Sequence, residues 1–271
     1  MQAAEGTPPK RSQAGLSRAQ VAQGLFMACV CVPEGPLAVA RAGDVHQRVV
    51  AEVTSLDALS DTVLRVRLTP LGPFAYRPGQ FVRLITDDGL ARSYSIASTP
   101  DQAPTVELHV RVIPGGRMSS RLAEATVPGD HLTLSGPSGG CCYDGVDPDQ
   151  PLILAGAGTG LAPLWGVLND ALNQGHRGPI SLYHGALSPA GLYLQDELQA
   201  LQARHANVSY RPCVRAAGGD LLETVKFDPT LKTAGIFLCG DAPLVEVMRR
   251  TLFLAGARLA DIRADAFAAA A

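Results

Sequence analysis

The sequence predicts two domains in tandem, a small antiparallel β-barrel followed by an α/β unit with a parallel sheet. Three observations carry this expectation. From about Val45 to Ser135, short apolar stretches recur between turn signals such as Pro78-Gly79, Asp87-Asp-Gly89, Pro114-Gly-Gly116 and Pro128-Gly-Asp130, the rhythm of a small barrel. After Pro151 the pattern changes to strand–helix–strand, which gives a parallel sheet with helices on its faces. A chain of 271 residues is long enough to hold two cores.

Taken in order, residues 1–15 are rich in Gly, Pro, Ser, Gln and Ala, and are expected to lack fixed structure unless docked. Ser17 suits the cap of a short helix carrying Val21 and Leu25, and Met27–Val39 reads as a strand without a partner. Barrel strands are expected at Val49–Val53, Val63–Leu68, Phe81–Ile85, Ser93–Ile96, Val106–Val112 and His131–Leu134, with one helix from Arg117 to Ala125. Gly145–Gln150, an Asp/Pro/Gly stretch, marks the boundary. Beyond it, strands are expected at Leu152–Ala155, Ile180–His184, Val208–Cys213 and Ile236–Cys239. The helices are expected at Leu161–Asn173, Leu192–Arg204, Leu221–Val225 and Leu244–Ala255. The domains so drawn are 1–41, 45–144 and 150–271.

Composition excludes several classes. A formal charge of −2 lacks the basic surplus of a nucleic-acid binder, and 5% aromatic residues leave little for base stacking. The apolar run Leu25–Val32 is too short to span a bilayer, so a cytoplasmic protein without a membrane partner is expected. The six cysteines form no Cys-x-x-Cys pair, and the six histidines no His-x-x-x-His, so no metal site is expected from this chain alone.

Four stretches carry chemistry. Leu152-Ile-Leu-Ala-Gly-Ala-Gly-Thr-Gly-Leu-Ala-Pro163 reads as a buried strand, a glycine turn and a helix start, which makes an anion site. Such turns also occur for packing, and alone this one leaves both readings open. Arg92-Ser-Tyr-Ser95 offers a guanidinium for phosphate, a flat ring for a stacked heterocycle and a hydroxyl donor; alone it is equally a surface strand. Gly115-Gly-Arg-Met-Ser119 places glycines and a serine at a second helix start. Phe237-Leu-Cys-Gly-Asp-Ala-Pro243 sets a cysteine and a glycine at the carboxyl end of a strand, where open α/β sheets bind ligands, although Cys239 alone reads as a small buried thiol.

Together these stretches, in this order, resemble the ferredoxin–NADP(+) reductase superfamily over residues 45–267, with Pro78-Gly-Gln-Phe81 and Gly136-Pro-Ser-Gly139 adding to the likeness. The branch most similar is the reductase component of multicomponent oxygenases. The resemblance implies a Greek-key barrel that binds flavin and a Rossmann-like nucleotide domain. It implies that Arg92 holds the flavin pyrophosphate, Tyr94 packs on the ring and Ser95 bonds near N5. Gly115, Gly116, Arg117, Met118 and Ser119 would wrap the pyrophosphate, a cradle that implies FAD more than FMN. Gly158, Thr159 and Gly160, with the Cys239-Gly240-Asp241 turn and Pro243, would receive the nicotinamide dinucleotide, Cys239 beside its ring. Asp265-Ala-Phe267 resembles an acidic-x-aromatic ending, with Phe267 shielding the flavin and Asp265 in a polar role at the transfer site. Four alanines follow Phe267, and a plain hydrophobic anchor is the alternative.

The implied activity is hydride transfer from NADH or NADPH to FAD, then single electrons to an iron–sulfur protein or oxygenase partner, by a monomer. A flavin-binding regulatory subunit, or an inactive fragment, is the alternative. Gly185–Leu194 contains neither Arg nor Lys for a 2′-phosphate, which favours NADH, and no acidic residue for a ribose diol either. Residues 16–37 resemble the last part of a plant-type [2Fe–2S] ferredoxin domain, with Cys29 matching its final ligand. The upstream Cys-x4-Cys-x2-Cys loop is missing, so this chain is expected to carry a truncated or degenerate remnant and no cluster.

Overall fold

A computed structural model describes residues 1–16, 21, 24–40, 47–101 and 105–267. Two short strands come first, β1 (Gln2–Glu5) and β2 (Ala38–Ala40), paired antiparallel. Here the sequence expectation is corrected. Residues 1–15 take up fixed structure because β1 gives the end of the Met27–Val39 segment its partner. The Met1 ammonium donates to Phe26 O at 3.0 Å, and Ser12, fully buried, donates to Pro9 O at 2.6 Å. Backbone pairing of this kind needs no apolar alternation, so composition did not announce it. The helix expected from Ser17 falls largely outside the described residues.

Period-two patterning then builds the barrel. Its strands are β3 (Gln47–Ser60), β4 (Val63–Pro70), β5 (Phe81–Ile85), β6 (Ala91–Ser95), β7 (Val106–Arg111) and, after the helix α1 (Arg117–Glu124), β8 (His131–Ser138). They pair antiparallel in the order β6-β5-β8-β3-β4-β7. An Ile96–Leu108 bridge, with Ala97 N donating to Glu107 O at 2.8 Å, joins the two outer strands and closes the ring. On β7, Val106, Leu108 and Val110 are fully buried, whereas Glu107, His109 and Arg111 project from the outer face. Met118 and Leu122 of α1 pack into the barrel core.

The second sheet is parallel, in the order β11-β10-β9-β12-β13. Its strands and helices run β9 (Leu152–Ala157), α2 (Leu161–Asn173), β10 (Ile180–Ala186), α3 (Gln195–Arg204), β11 (Val208–Val214), α4 (Leu221–Lys226), β12 (Gly235–Asp241), α5 (Ala242–Leu254) and β13 (Ile262–Phe267). The unbroken apolar run of β9 is explained by burial on both faces: Leu152 and Leu154 join one core, Ile153 and Ala155 the other. Two expectations shift. The Asp265–Phe267 tail is the end of a fifth strand, and the helix expected from Leu192 begins at Gln195 because Leu194 takes a left-handed φ of 56°. From β9 the chain steps to β10 and β11 on one side, and β12 and β13 lie on the other. The carboxyl ends of β9 and β12 therefore meet at a topological switch point, the crevice where such sheets bind ligands.

Leu154 is fully buried at the sheet centre. Leu154→Ala is expected to destabilise the chain by about 2–5 kcal/mol through lost burial and the cavity left behind. Urea denaturation checks this, and an unchanged midpoint would contradict the packing described.

Candidate functional site

A cavity of about 920 Å³ opens between the barrel and the parallel sheet. The barrel side is β5 and β6, the end of β7 and the Gly115–Ser119 entry into α1; Thr159, Ala162 and Asp265–Phe267 form the other wall. Four arginines line it: Arg83, Arg92, Arg111 and Arg117. Among the described residues none of the four is ion-paired, whereas Arg65, Arg67, Arg77, Arg121, Arg177 and Arg258 all face carboxylates elsewhere. Unpaired guanidinium groups converging on one cavity repel one another, and a bound polyanion relieves that repulsion.

The helix entry adds backbone donors. Gly116 precedes α1 without a side-chain cap, so the first N–H groups of the helix are left for a ligand. Ile113 N donates to Ser119 Oγ at 3.1 Å, closing the loop over the helix start. A Cβ on Gly116 would come within 2.6 Å of that hydroxyl and 3.0 Å of Ile113 O, so glycine is required here.

At the opposite end, Ser95 Oγ donates to Asp265 Oδ2 at 2.9 Å, tying the barrel to the edge strand of the sheet. Burial raises the Asp265 carboxyl, partly offset by the Ser95 bond. Burial also pushes the Tyr94 phenol up to about 12, so its ring stays neutral beside Arg92. Asp265 sits in register with Cys239 on β12. The Cys239 thiol is buried, 3.7 Å from that of Cys141, and desolvation holds it well above the ordinary thiol range.

The structure therefore brings together Arg92, Tyr94, Ser95, Gly115, Gly116, Arg117, Met118, Ser119, Thr159, Asp265 and Phe267 around one cavity. Gly158, Gly160, Cys239, Gly240, Asp241 and Pro243 do not line it. They form the adjoining carboxyl ends of β9 and β12, where a Cβ on Gly160 would overlap Cys239 O and one on Gly156 would lie 2.9 Å from it. Cys29 is exposed in the Ala28–Val30 turn, outside this group. The four alanines after Phe267 lie outside the described residues.

Sequence reading passed over Arg83, His109, Ile113 and Arg111, all of which line the cavity. The guanidinium of Arg111 lies where a side chain on Gly158 would project. The signal was present in Val106-Glu-Leu-His-Val-Arg111, whose polar face reads as solvent-exposed until a second domain is placed against it.

Comparison with known proteins agrees with this geometry. Residues 51–143 match the family described as "Oxidoreductase FAD-binding domain", and residues 154–250 match "Oxidoreductase NAD-binding domain". The chain is 31% identical to the toluate 1,2-dioxygenase electron transfer component of Pseudomonas putida, over 94% of this chain and 80% of that protein. It is 32% identical to the ferredoxin–NAD(+) reductase component of an alkene monooxygenase system from Xanthobacter autotrophicus, over 84% and 74% of the two chains. A solved Amycolatopsis cytochrome P450 reductase superimposes with a TM-score of 0.76 at 27% identity, covering 98% of this chain and 86% of that one. A closed barrel, a parallel sheet with its switch point at the barrel, and relatives of this similarity over most of their length lead to one conclusion: the chain belongs to the ferredoxin reductase family of FAD- and NAD(P)-dependent oxidoreductases.

Proposed function

We propose that this oxidoreductase is the reductase component of an oxygenase system, drawing reducing equivalents from NADH and delivering them to an iron–sulfur protein or oxygenase partner. The observation that carries the reading is the cavity itself, in which four unpaired arginines and an uncapped helix start face the Ser95–Asp265 pair across the domain boundary. The relatives' names support the acceptor class, since they are components of dioxygenase and monooxygenase systems.

The residues present fit an FAD. Arg92 and the Gly115-Gly-Arg-Met-Ser119 cradle supply charge and N–H donors for a pyrophosphate. Tyr94 would supply a neutral aromatic face to the ring, and Phe267, which lines the same cavity, would shield it. When bound, FAD accepts a hydride from the nicotinamide and returns electrons singly. The chain's own part is positioning and exclusion of water. Ser95 Oγ, bonded to Asp265, would stand near the flavin N5. Burial makes Asp265 easier to protonate than an exposed aspartate, so the pair holds a proton there more readily. Gly158, Thr159 and Gly160 receive the dinucleotide with the Cys239–Pro243 turn, and the buried Cys239 thiol gives the nicotinamide an uncharged neighbour.

NADH is the preferred donor, since the residues that follow β10, up to Leu194, contain no cation for a 2′-phosphate. Residues 1–41 are the remnant of a [2Fe–2S] ferredoxin-like domain, with 45–144 the FAD unit and 150–271 the NAD(P) unit. Cys29 alone cannot hold a cluster, so this polypeptide carries none. Among the described residues no helix is long and apolar enough to cross a membrane, and we place the protein in the cytoplasm as a monomer.

Losing a charged phosphate contact costs roughly 1.5–3 kcal/mol, or about ten- to a hundredfold in affinity. Arg92→Ala should therefore copurify with much less flavin; unchanged occupancy and visible spectrum would refute the role of Arg92. Anaerobic titration of the wild type with NADH should bleach the flavin absorbance, with kcat/KM for NADH exceeding that for NADPH. Colour without bleaching would point to a regulatory flavoprotein, and an NADPH preference would overturn the donor assignment. Iron and acid-labile sulfide should both fall well below stoichiometry, and stoichiometric iron would refute the remnant reading.

A further inference from the structure

The outer face of β7 carries Glu107, His109 and Arg111, alternate residues that point the same way. That face is turned toward the α/β domain. His109 is fully buried and holds two partners, Glu107 Oε1 at 2.9 Å from Nε2 and the Tyr193 hydroxyl at 3.2 Å from Nδ1. A carboxylate only accepts, so Nε2 carries the proton, Nδ1 accepts, and Tyr193 donates. Glu107 is held in turn by Arg67 at 2.9 Å and Arg65 at 3.4 Å, the residues opposite Glu107 and His109 on β4. Arg65 also reaches Glu197 of α3 at 3.4 Å, a second link between the domains.

Tyr193 lies between two histidine rings. His109 meets it edge-on at 5.3 Å and His184 at 5.4 Å. His184, at the end of β10, donates from Nε2 to Gly158 O at 3.2 Å. Its side chain is fully buried, and burial lowers it to about 4, so it stays neutral. Arg111 packs on Gly158 from the barrel side. Gly158 is thus held by His184 from its own domain and Arg111 from the other, with Tyr193 and His109 joining the two. Leu194, immediately after Tyr193, holds a left-handed φ of 56°, a conformation that a leucine adopts only when the surroundings impose it.

We propose that Tyr193 is a positioning residue for hydride transfer: through its hydroxyl bond to His109 and its contact with His184, it holds the Gly158 turn at a set distance from the flavin cavity. The proposal rests on reading Gly158–Gly160 as the nicotinamide dinucleotide site. Tyr193 does not line the cavity, whereas His109 does, so the hydroxyl bond is one link between the two nucleotide sites, beside the Arg111 contact on Gly158.

The test compares purified flavin-loaded wild type with Tyr193→Phe, which keeps both ring contacts and removes only the hydroxyl. Amide hydrogen exchange of residues 156–160 should accelerate about fivefold while β5 and β8 are unchanged, as one lost hydrogen bond predicts. The Kd for NAD+ should weaken by a similar factor, and the single-turnover rate of flavin reduction at saturating NADH should fall. FAD content and Tm should stay close to wild type. His109→Leu should speed exchange of the same turn, and the double variant should be no worse than His109→Leu alone, because the Tyr193 hydroxyl acts through that ring. Should Tyr193→Phe fail to fold, His109→Leu still decides the exchange result. Unchanged exchange at 156–160, a uniform acceleration over both domains, or additive losses in the double variant would each overturn the proposal. If NAD+ fails to bind the wild type, the site reading falls instead, and the exchange result alone judges the role of Tyr193.

Discussion

The backbone of Gly156–Gly160 lies against the backbone of Cys239 and Gly240, and that contact exists only because glycine leaves room for it. A single methyl group at Gly160 would overlap the Cys239 carbonyl. From this one approach follows much of the architecture. Strands β9 and β12 must be neighbours for their ends to touch, so the chain has to leave the sheet centre in both directions, which creates the crevice. The barrel wall facing the crevice must then supply side chains long enough to reach the turn without crowding it. Arg111, lying over Gly158 where that residue has no side chain, meets the requirement.

Charge is distributed by the same logic. The chain is nearly neutral overall at −2, yet one cavity collects four guanidinium groups that pair with no carboxylate among the described residues. Several arginines elsewhere serve structure through ion pairs, as Arg177 does with Asp149 at 2.6 Å and Arg121 with Asp87 at 2.6 Å. Exposed pairs of that kind add little stability. The unpaired cluster costs stability while the cavity is empty and contributes affinity once phosphates enter, and that difference separates a binding surface from a solvated one.

How much of this was legible depends on the distance between cause and effect along the chain. The strands Phe81–Ile85 and the helix Leu161–Asn173 were readable because alternation and helical periodicity are local properties. Cavity residues Arg92, Tyr94 and Gly115–Ser119 were readable because each stands in a short motif with a physical purpose. The pairing of Gln2–Glu5 with Ala38–Ala40 was not, since backbone hydrogen bonds leave no mark on side-chain pattern. Arg111 and His109 were missed for a different reason. Their strand reads as half-buried, which is correct for the barrel alone; their burial or use is decided by a domain that begins about forty residues later.

That last class of residue also accounts for the specificity of the interface. An apolar contact between the two domains would favour burial without pairing particular groups, because hydrophobic burial is non-directional. A series from the part-exposed Arg67 through Glu107 to the buried His109 and Tyr193 is not indifferent to position, since displacement would stretch its hydrogen bonds and leave the buried groups unsatisfied together. The polar face of β7 therefore does for the domain boundary what the glycine turn does within the sheet. It restricts two bodies that could pack in many ways to one arrangement, in which the arginine-lined cavity and the switch point of the sheet share a wall.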